Sequence, residues 1–140
     1  MGGWNDRINE DMGFSMRPRI SRTVIELPGN KGNHMAGEEN TPCVFCDIIS
    51  GKAEAYTVYE DETSLCILDI NPYTKGHCLV IPKRHVTWWH EMTSEENDSV
   101  FRTARTIANR MMKAFSPDFV FMYTRGKRVP HAHVFLVPSF

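Results

Sequence analysis

No stretch of this 140-residue chain stays apolar and uncharged for the ~18 residues that a membrane span requires. Charge of one sign is not in excess either. Lys and Arg number 16 and Asp and Glu 17, a formal net charge of -1, so no basic surplus draws the chain to nucleic acid. The first dozen residues carry Asp6, Arg7, Glu10 and Asp11 where the apolar core of an export leader would sit. Cysteine is scarce, with four residues, and without an export signal such thiols read as free or metal-binding rather than as a disulfide frame. Internal repeats and low-complexity tracts are missing as well. What is present, 41% hydrophobic and 24% charged residues, suffices for a core. The expectation is a soluble, cytoplasmic protein with one folded domain and neither a membrane nor a nucleic-acid partner.

The first forty residues differ from the rest. They scatter Gly, Asn and Arg around a single strand-like run, Arg22–Leu27, and end in the loop-forming Asn30-Lys31-Gly32-Asn33. Residues 1–40 are expected to be a mostly flexible N-terminal extension, and residues 41–140 the domain.

Within the domain, Cys43–Ser50 reads as a short helix ending at Gly51. Thr57–Glu60, Ser64–Asp69 and His77–Pro82 read as strands, the second buried and the third stopped by its proline. Thr93–Phe115 is the one long helix. Val100, Ala104, Ile107, Ala108, Met111 and Phe115 recur on a single stripe, Thr93-x-x-Glu96 forms a capping box, and Ser116-Pro117 ends the helix. Phe119–Thr124 and Val129–Val137 complete the strands, joined by the basic turn Arg125-Gly126-Lys127-Arg128. The class is α+β: an antiparallel sheet of about five strands, one long amphipathic helix and a short N-terminal helix.

His131 and His133 lie two apart on the last expected strand, so both imidazoles project from one face together with Phe135. Ala132, Val134 and Leu136 take the other face. Two histidines side by side are either polar filler on a solvated edge strand or the carriers of nucleophilic or metal chemistry, for which a neutral imidazole poised near pH 7 is suited. His77 opens a strand after a Gly-containing loop, where a rigid sheet presents functional side chains.

Asp69-Ile-Asn-Pro-Tyr-Thr-Lys-Gly-His77-Cys-Leu-Val-Ile-Pro-Lys-Arg-His85, followed by Val129-Pro-His131-Ala-His133-Val-Phe135-Leu-Val-Pro138, resembles the histidine triad (HIT) family of nucleotide hydrolases and transferases. Cys43-x-Phe45-Cys46-x-Ile48-Ile49 resembles the opening of that domain, and the likeness spans about Pro42–Pro138. It implies a HIT-like fold and a nucleotide substrate, such as a purine nucleoside phosphoramidate or a diadenosine polyphosphate, cleaved at the α-phosphorus. It places the nucleophile at His133 and a phosphate-side histidine at His77, with His131 completing the catalytic set. Asp69 falls where a carboxylate meets the ribose, and Phe45, Ile48, Ile67 and Ile70 where an apolar slot holds the base. The same nucleotidyl intermediate serves a hydrolase or a nucleotidyl transferase.

One position departs from the family pattern, since Phe135 stands where a third histidine is usual. A phenyl ring cannot donate a hydrogen bond to phosphate, and loss of such a donor costs on the order of 10²–10³ in rate. That leaves open a nucleotide-binding module with little turnover. Lys127 and Arg128, in a turn shorter than is common in the family, are expected either to clamp phosphate oxygens or to be solvated. Cys43, Cys46, His85 and His131 form a Cys₂His₂ set suited to structural Zn²⁺, an arrangement that several branches of the family resemble. Cys66 and Cys78 read as buried thiols, and His90 as surface structure. A homodimer is expected through the long helix and an adjoining strand, with Val86-Thr87-Trp88-Trp89 and Met111-Met112 as contact surface.

Overall fold

Leu65-Cys66-Ile67-Leu68 and Cys78-Leu79-Val80-Ile81 are apolar without interruption, and strands of that kind must be covered on both faces. The computed structural model describes residues 42–140 and supplies both covers. The expected extension over residues 1–40, with its strand at Arg22–Leu27, lies outside the described residues. Five strands, β1 (Thr57–Glu60), β2 (Ser64–Leu68), β3 (Cys78–Pro82), β4 (Phe119–Thr124) and β5 (Val134–Ser139), form one sheet in the order β1-β2-β3-β5-β4. Every neighbouring pair is antiparallel. Helix α1 (Val44–Ile49) and helix α2 (Ser94–Phe115) lie on opposite sides of it.

Helix α2 starts where its sequence says it should. The Glu96 amide donates to Thr93 Oγ1 at 3.2 Å, and the Thr93 amide donates to Glu96 Oε2 at 2.9 Å, closing the capping box. It ends at Ser116, in the left-handed region at φ 50°. Between these caps Val100, Ala104, Ile107 and Met111 are buried against Cys66, Cys78, Val80, Val134 and Leu136. The other face packs Leu65, Ile67, Leu79 and Ile81 against Cys43, Phe45 and Ile48 of the short-helix segment. Val86 and Met111, expected as dimer surface, are core residues at 5% and 0% exposure. Each sits on an apolar face that the domain itself consumes. Trp88, Trp89 and Met112 of the same two runs remain exposed.

The last strand begins later than its alternating pattern implies. Val129–His133 does not pair with β4, because the His131 amide bonds Val129 O at 2.8 Å and the Ala132 amide turns to Val86 O at 2.6 Å. Side-chain alternation survives across that irregular stretch, with Ala132, Val134 and Leu136 on the α2 side. Gly76, at φ +85°, turns the chain into β3 against the ring of Phe115, which a Cβ there would meet at 2.5 Å.

Candidate active site and metal centre

The segment leading into α1, the segment after β3 and the segment before β5 converge at one end of the sheet. Cys43 stands at the N-cap of α1 and Cys46 one turn on, so both thiols point the same way. Arg84 holds the segment after β3 by a two-pronged bond to Glu96, Nε to Oε1 at 2.7 Å and Nη2 to Oε2 at 2.8 Å, which sets the adjacent His85. The Cys46 thiol lies 3.1 Å from His85 Nδ1 and 3.6 Å from His131 Nδ1, and the Cys43 thiol lies 3.4 Å from His131 Nδ1. All four donor atoms fall within 4.8 Å of one another.

A tetrahedron with metal–ligand bonds of ~2.0–2.3 Å has edges of roughly 3.3–3.8 Å, so the four residues fit Zn²⁺. His131 Nε2 donates to Pro82 O at 2.8 Å, which leaves Nδ1 deprotonated and turned toward the thiols. Burial, with the Cys43 thiol beside it, pushes the Cys46 pKa up to about 12. Burial also takes His131 down to about 4, keeping it the neutral ligand that a metal needs. Four protein donors would occupy all four corners of a tetrahedral ion, the closed arrangement of structural rather than catalytic zinc.

His133 is two residues further on, and its environment differs. Its Nδ1–H donates to His131 O at 2.6 Å, which puts the lone pair on Nε2. Among the described residues Nε2 has no hydrogen-bond partner. Burial holds the imidazole below the usual histidine range, with Arg125 acting in the same direction and the His131 carbonyl and Asp69 opposing, so the ring is neutral near pH 7. Phe45 meets both histidines edge-on, at 5.8 Å from His131 and 5.2 Å from His133, and braces the two rings from the α1 side.

His77 faces the same region from the start of β3. Its Nδ1 accepts the Tyr73 amide at 3.2 Å, which places its proton on Nε2. That Nε2–H is buried and unpaired, 3.7 Å from Asp69 Oδ2. A buried donor without an acceptor is costly unless something binds there. Asp69 is itself aimed by the Asn71 amide, which donates to Oδ1 at 2.7 Å. Phe135 lies between the two histidines, with its centroid 4.8 Å from His133 and 5.4 Å from His77.

The His133 ring lines a cleft of about 250 Å³ together with Thr87, Trp88, Trp89, His90, Thr124, Arg125, Gly126 and Ala132. Gly126 keeps this wall close, since a Cβ there would crowd Thr87 O at 3.0 Å and the Trp88 ring at 3.1 Å. The cation on this cleft is Arg125. Lys127 and Arg128 are exposed in the turn and are not among the lining residues. Phe45, Ile48 and Ile67 are brought together on the α1 face as buried neighbours, whereas Ile70 is 88% exposed and stands apart from them. Sequence reasoning missed Arg125, the two indoles and His90 as lining residues. The signal available was their position flanking the segment that carries His131 and His133. Cys66 and Cys78 are fully buried thiols.

The profile of the HIT domain matches residues 50–140. A protein named hit from Bacillus subtilis is 37% identical over 103 residues, 70% of this chain and 71% of that protein. An adenylylsulfatase of Arabidopsis thaliana is 34% identical over 101 residues, covering 69% of this chain and 51% of that protein. A solved structure of a zinc-bound histidine triad family protein from Mycobacterium smegmatis has a TM-score of 0.66 at 36% identity, covering 70% of this chain and 75% of that one.

Proposed function

This chain belongs to the HIT family, and from that premise we propose that residues 41–140 form a nucleotide hydrolase acting at the α-phosphorus through a nucleotidyl-histidine intermediate. The observation that carries the reading is the His133 ring. Its Nδ1–H is held by the His131 carbonyl and its Nε2 lone pair is free beside the cleft. Nε2 attacks phosphorus and the bond to the leaving group breaks, the leaving group taking up a proton from solvent. Water then attacks, the P–N bond breaks, the water gives up a proton to solvent, and the neutral imidazole is regenerated. The unpaired Nε2–H of His77 is the donor facing the phosphate, and Arg125 neutralises its charge. Asp69 accepts from the ribose hydroxyls, and Phe45, Ile48 and Ile67 border the base, as the family resemblance implies.

The substrate class is a purine nucleoside phosphoramidate or a dinucleoside polyphosphate. The name of the Arabidopsis relative supports an adenylyl group as the part transferred. Bound at Cys43, Cys46, His85 and His131, Zn²⁺ supplies no chemistry to the reacting phosphorus but staples α1 to the segment bearing His133.

All four cysteines are free thiols, which supports a reducing, cytoplasmic setting. No helix among the described residues is long and apolar enough to cross a membrane. Among those residues β4 is an open sheet edge bearing Phe119, Phe121 and Met122 at 42–53% exposure, which supports a homodimer. Sedimentation at micromolar protein should give twice 16.1 kDa, and a monomer would exclude it. The function is tested by turnover of adenosine 5′-phosphoramidate and diadenosine polyphosphate, with trapping of the labelled protein intermediate. Loss of both signals in His133→Ala is expected. Nucleotide binding without turnover in the parent would instead favour a binding module, the reading that Phe135 invites.

A further inference from the structure

The phenyl ring of Phe135 removes a hydrogen-bond donor from the centre of the site, yet it is not alone there. In the β4–β5 ladder Tyr123 is the direct partner of Phe135, so the two side chains leave the same face of the sheet at neighbouring positions. Their rings are stacked, with centroids 4.5 Å apart and planes 6° from parallel. Phe135 in turn contacts His133 and His77. On the far side the Tyr73 amide bonds His77 and the Tyr73 ring stacks on it at 5.3 Å. Tyr123 therefore extends, through Phe135, a group of rings in contact with the two histidines, and its phenol carries a donor.

Electrostatics put that phenol where it counts. The two charged groups that act on Tyr123, Arg125 and Asp69, are the two that act on His133. Burial and the Tyr73 hydroxyl hold the phenol above the ordinary tyrosine range, so it keeps its proton at neutral pH. Tyr123 is half-buried and Tyr73 is exposed, so an acceptor can reach the phenol from solvent.

We infer that the Tyr123 hydroxyl donates a hydrogen bond to a non-bridging oxygen of the α-phosphate, in place of the donor that Phe135 cannot supply. Phe135 acts as the flat surface on which the phenol rests. No proton is transferred. The bond strengthens as negative charge builds on phosphorus oxygens during attack by His133 Nε2, which lowers the barrier without tightening ground-state binding to match. The inference rests on the nucleotidyl-histidine reading above.

The test uses the full chain and adenosine 5′-phosphoramidate, with four proteins compared for kcat and KM: parent, Tyr123→Phe, Tyr123→Phe/Phe135→His and His133→Ala. Tyr123→Phe should lower kcat about a hundredfold with KM changed by less than about threefold. The double variant should regain at least about tenfold of that loss, because an imidazole at position 135 restores a donor that a merely structural tyrosine would not need. Thermal melts of the variants exclude misfolding as the cause. Tyr123→Phe within about twofold of an active parent, or a loss that Phe135→His does not relieve, overturns the inference while leaving His133 as nucleophile. A parent no faster than His133→Ala removes both readings together.

Discussion

The two faces of the sheet are built from the same strands and are finished in opposite ways. On one side α2 lays 22 residues across β2, β3, β5 and β4, with its apolar stripe in full contact. Several polar groups on that side are paired: Ser64 and Thr103 share a 3.1 Å bond, and Asp61 accepts from the Thr63 and Ser64 amides at 2.9 and 2.7 Å and from the Ser99 hydroxyl, while Asn97 Oδ1 of α2 is buried without a partner among the described residues. On the other side α1 covers the strands with only six residues. It leaves beside it two thiols, four histidines and a buried N–H without a partner. A sheet whose one face is closed over its length can leave functional polar groups uncovered on the other. Stability and chemistry are separated by the thickness of one strand.

The strongest way to break that separation is to find a substitution that moves both properties. His133→Ala should reduce turnover of a nucleoside phosphoramidate about 10³-fold or more, with a thermal midpoint close to the parent's. A large fall in stability would mean that the imidazole is core rather than tool. Ile107→Ala on the α2 face should do the converse, costing about 2–5 kcal/mol in denaturant unfolding while the folded fraction keeps its kcat.

Cys43→Ala sits between the two. It should abolish stoichiometric zinc by elemental analysis, lower the midpoint by roughly 5 °C and reduce kcat about tenfold, because His131 and the carbonyl it lends to His133 lose their anchor. Full metal content in this variant would contradict the ligand assignment.

The smallest effect concerns Asp61. Burial alone would raise its pKa, but the Thr63 and Ser64 amides and the Ser64 and Ser99 hydroxyls outweigh it, and the carboxyl stays below the ordinary 3.8. Its contribution is therefore present above about pH 4 and drains away as pH falls through the folded-state value. Asp61→Asn should flatten the acid limb of a midpoint-versus-pH curve below about pH 4 and leave kcat at neutral pH unchanged. An unaltered acid limb would assign that stability to other carboxylates.

Most of the framework was legible because it is local. The stripe from Val100 to Met111, the Thr93–Glu96 box and the apolar runs of β2 and β3 each announce their own conformation. The start of β5 was not, since Val129–Val137 alternates like a strand throughout. What withdraws its first residues is a bond to Val86, more than forty positions away. The Cys and His spacing and the family likeness marked Cys43, Cys46, His85 and His131, and the structure brings their donor atoms together in an arrangement compatible with zinc. Lys127 and Arg128 were singled out from the basic turn, and it is Arg125 that lines the cleft. Three cations in one turn are equivalent until the backbone decides which side chain meets the cleft. Likewise Tyr123 and Phe135 are twelve residues apart in sequence and adjacent only through the register of the ladder.

Position 76 ties these halves to each other. The absence of a side chain there lets the Phe115 ring, capped from outside by the Lys75 ammonium at 5.0 Å, press against the backbone just ahead of His77. The far end of the long helix thus works as a doorstop for the loop that leads into His77. Enlarging that one residue would wedge the loop away from the scaffold that props it.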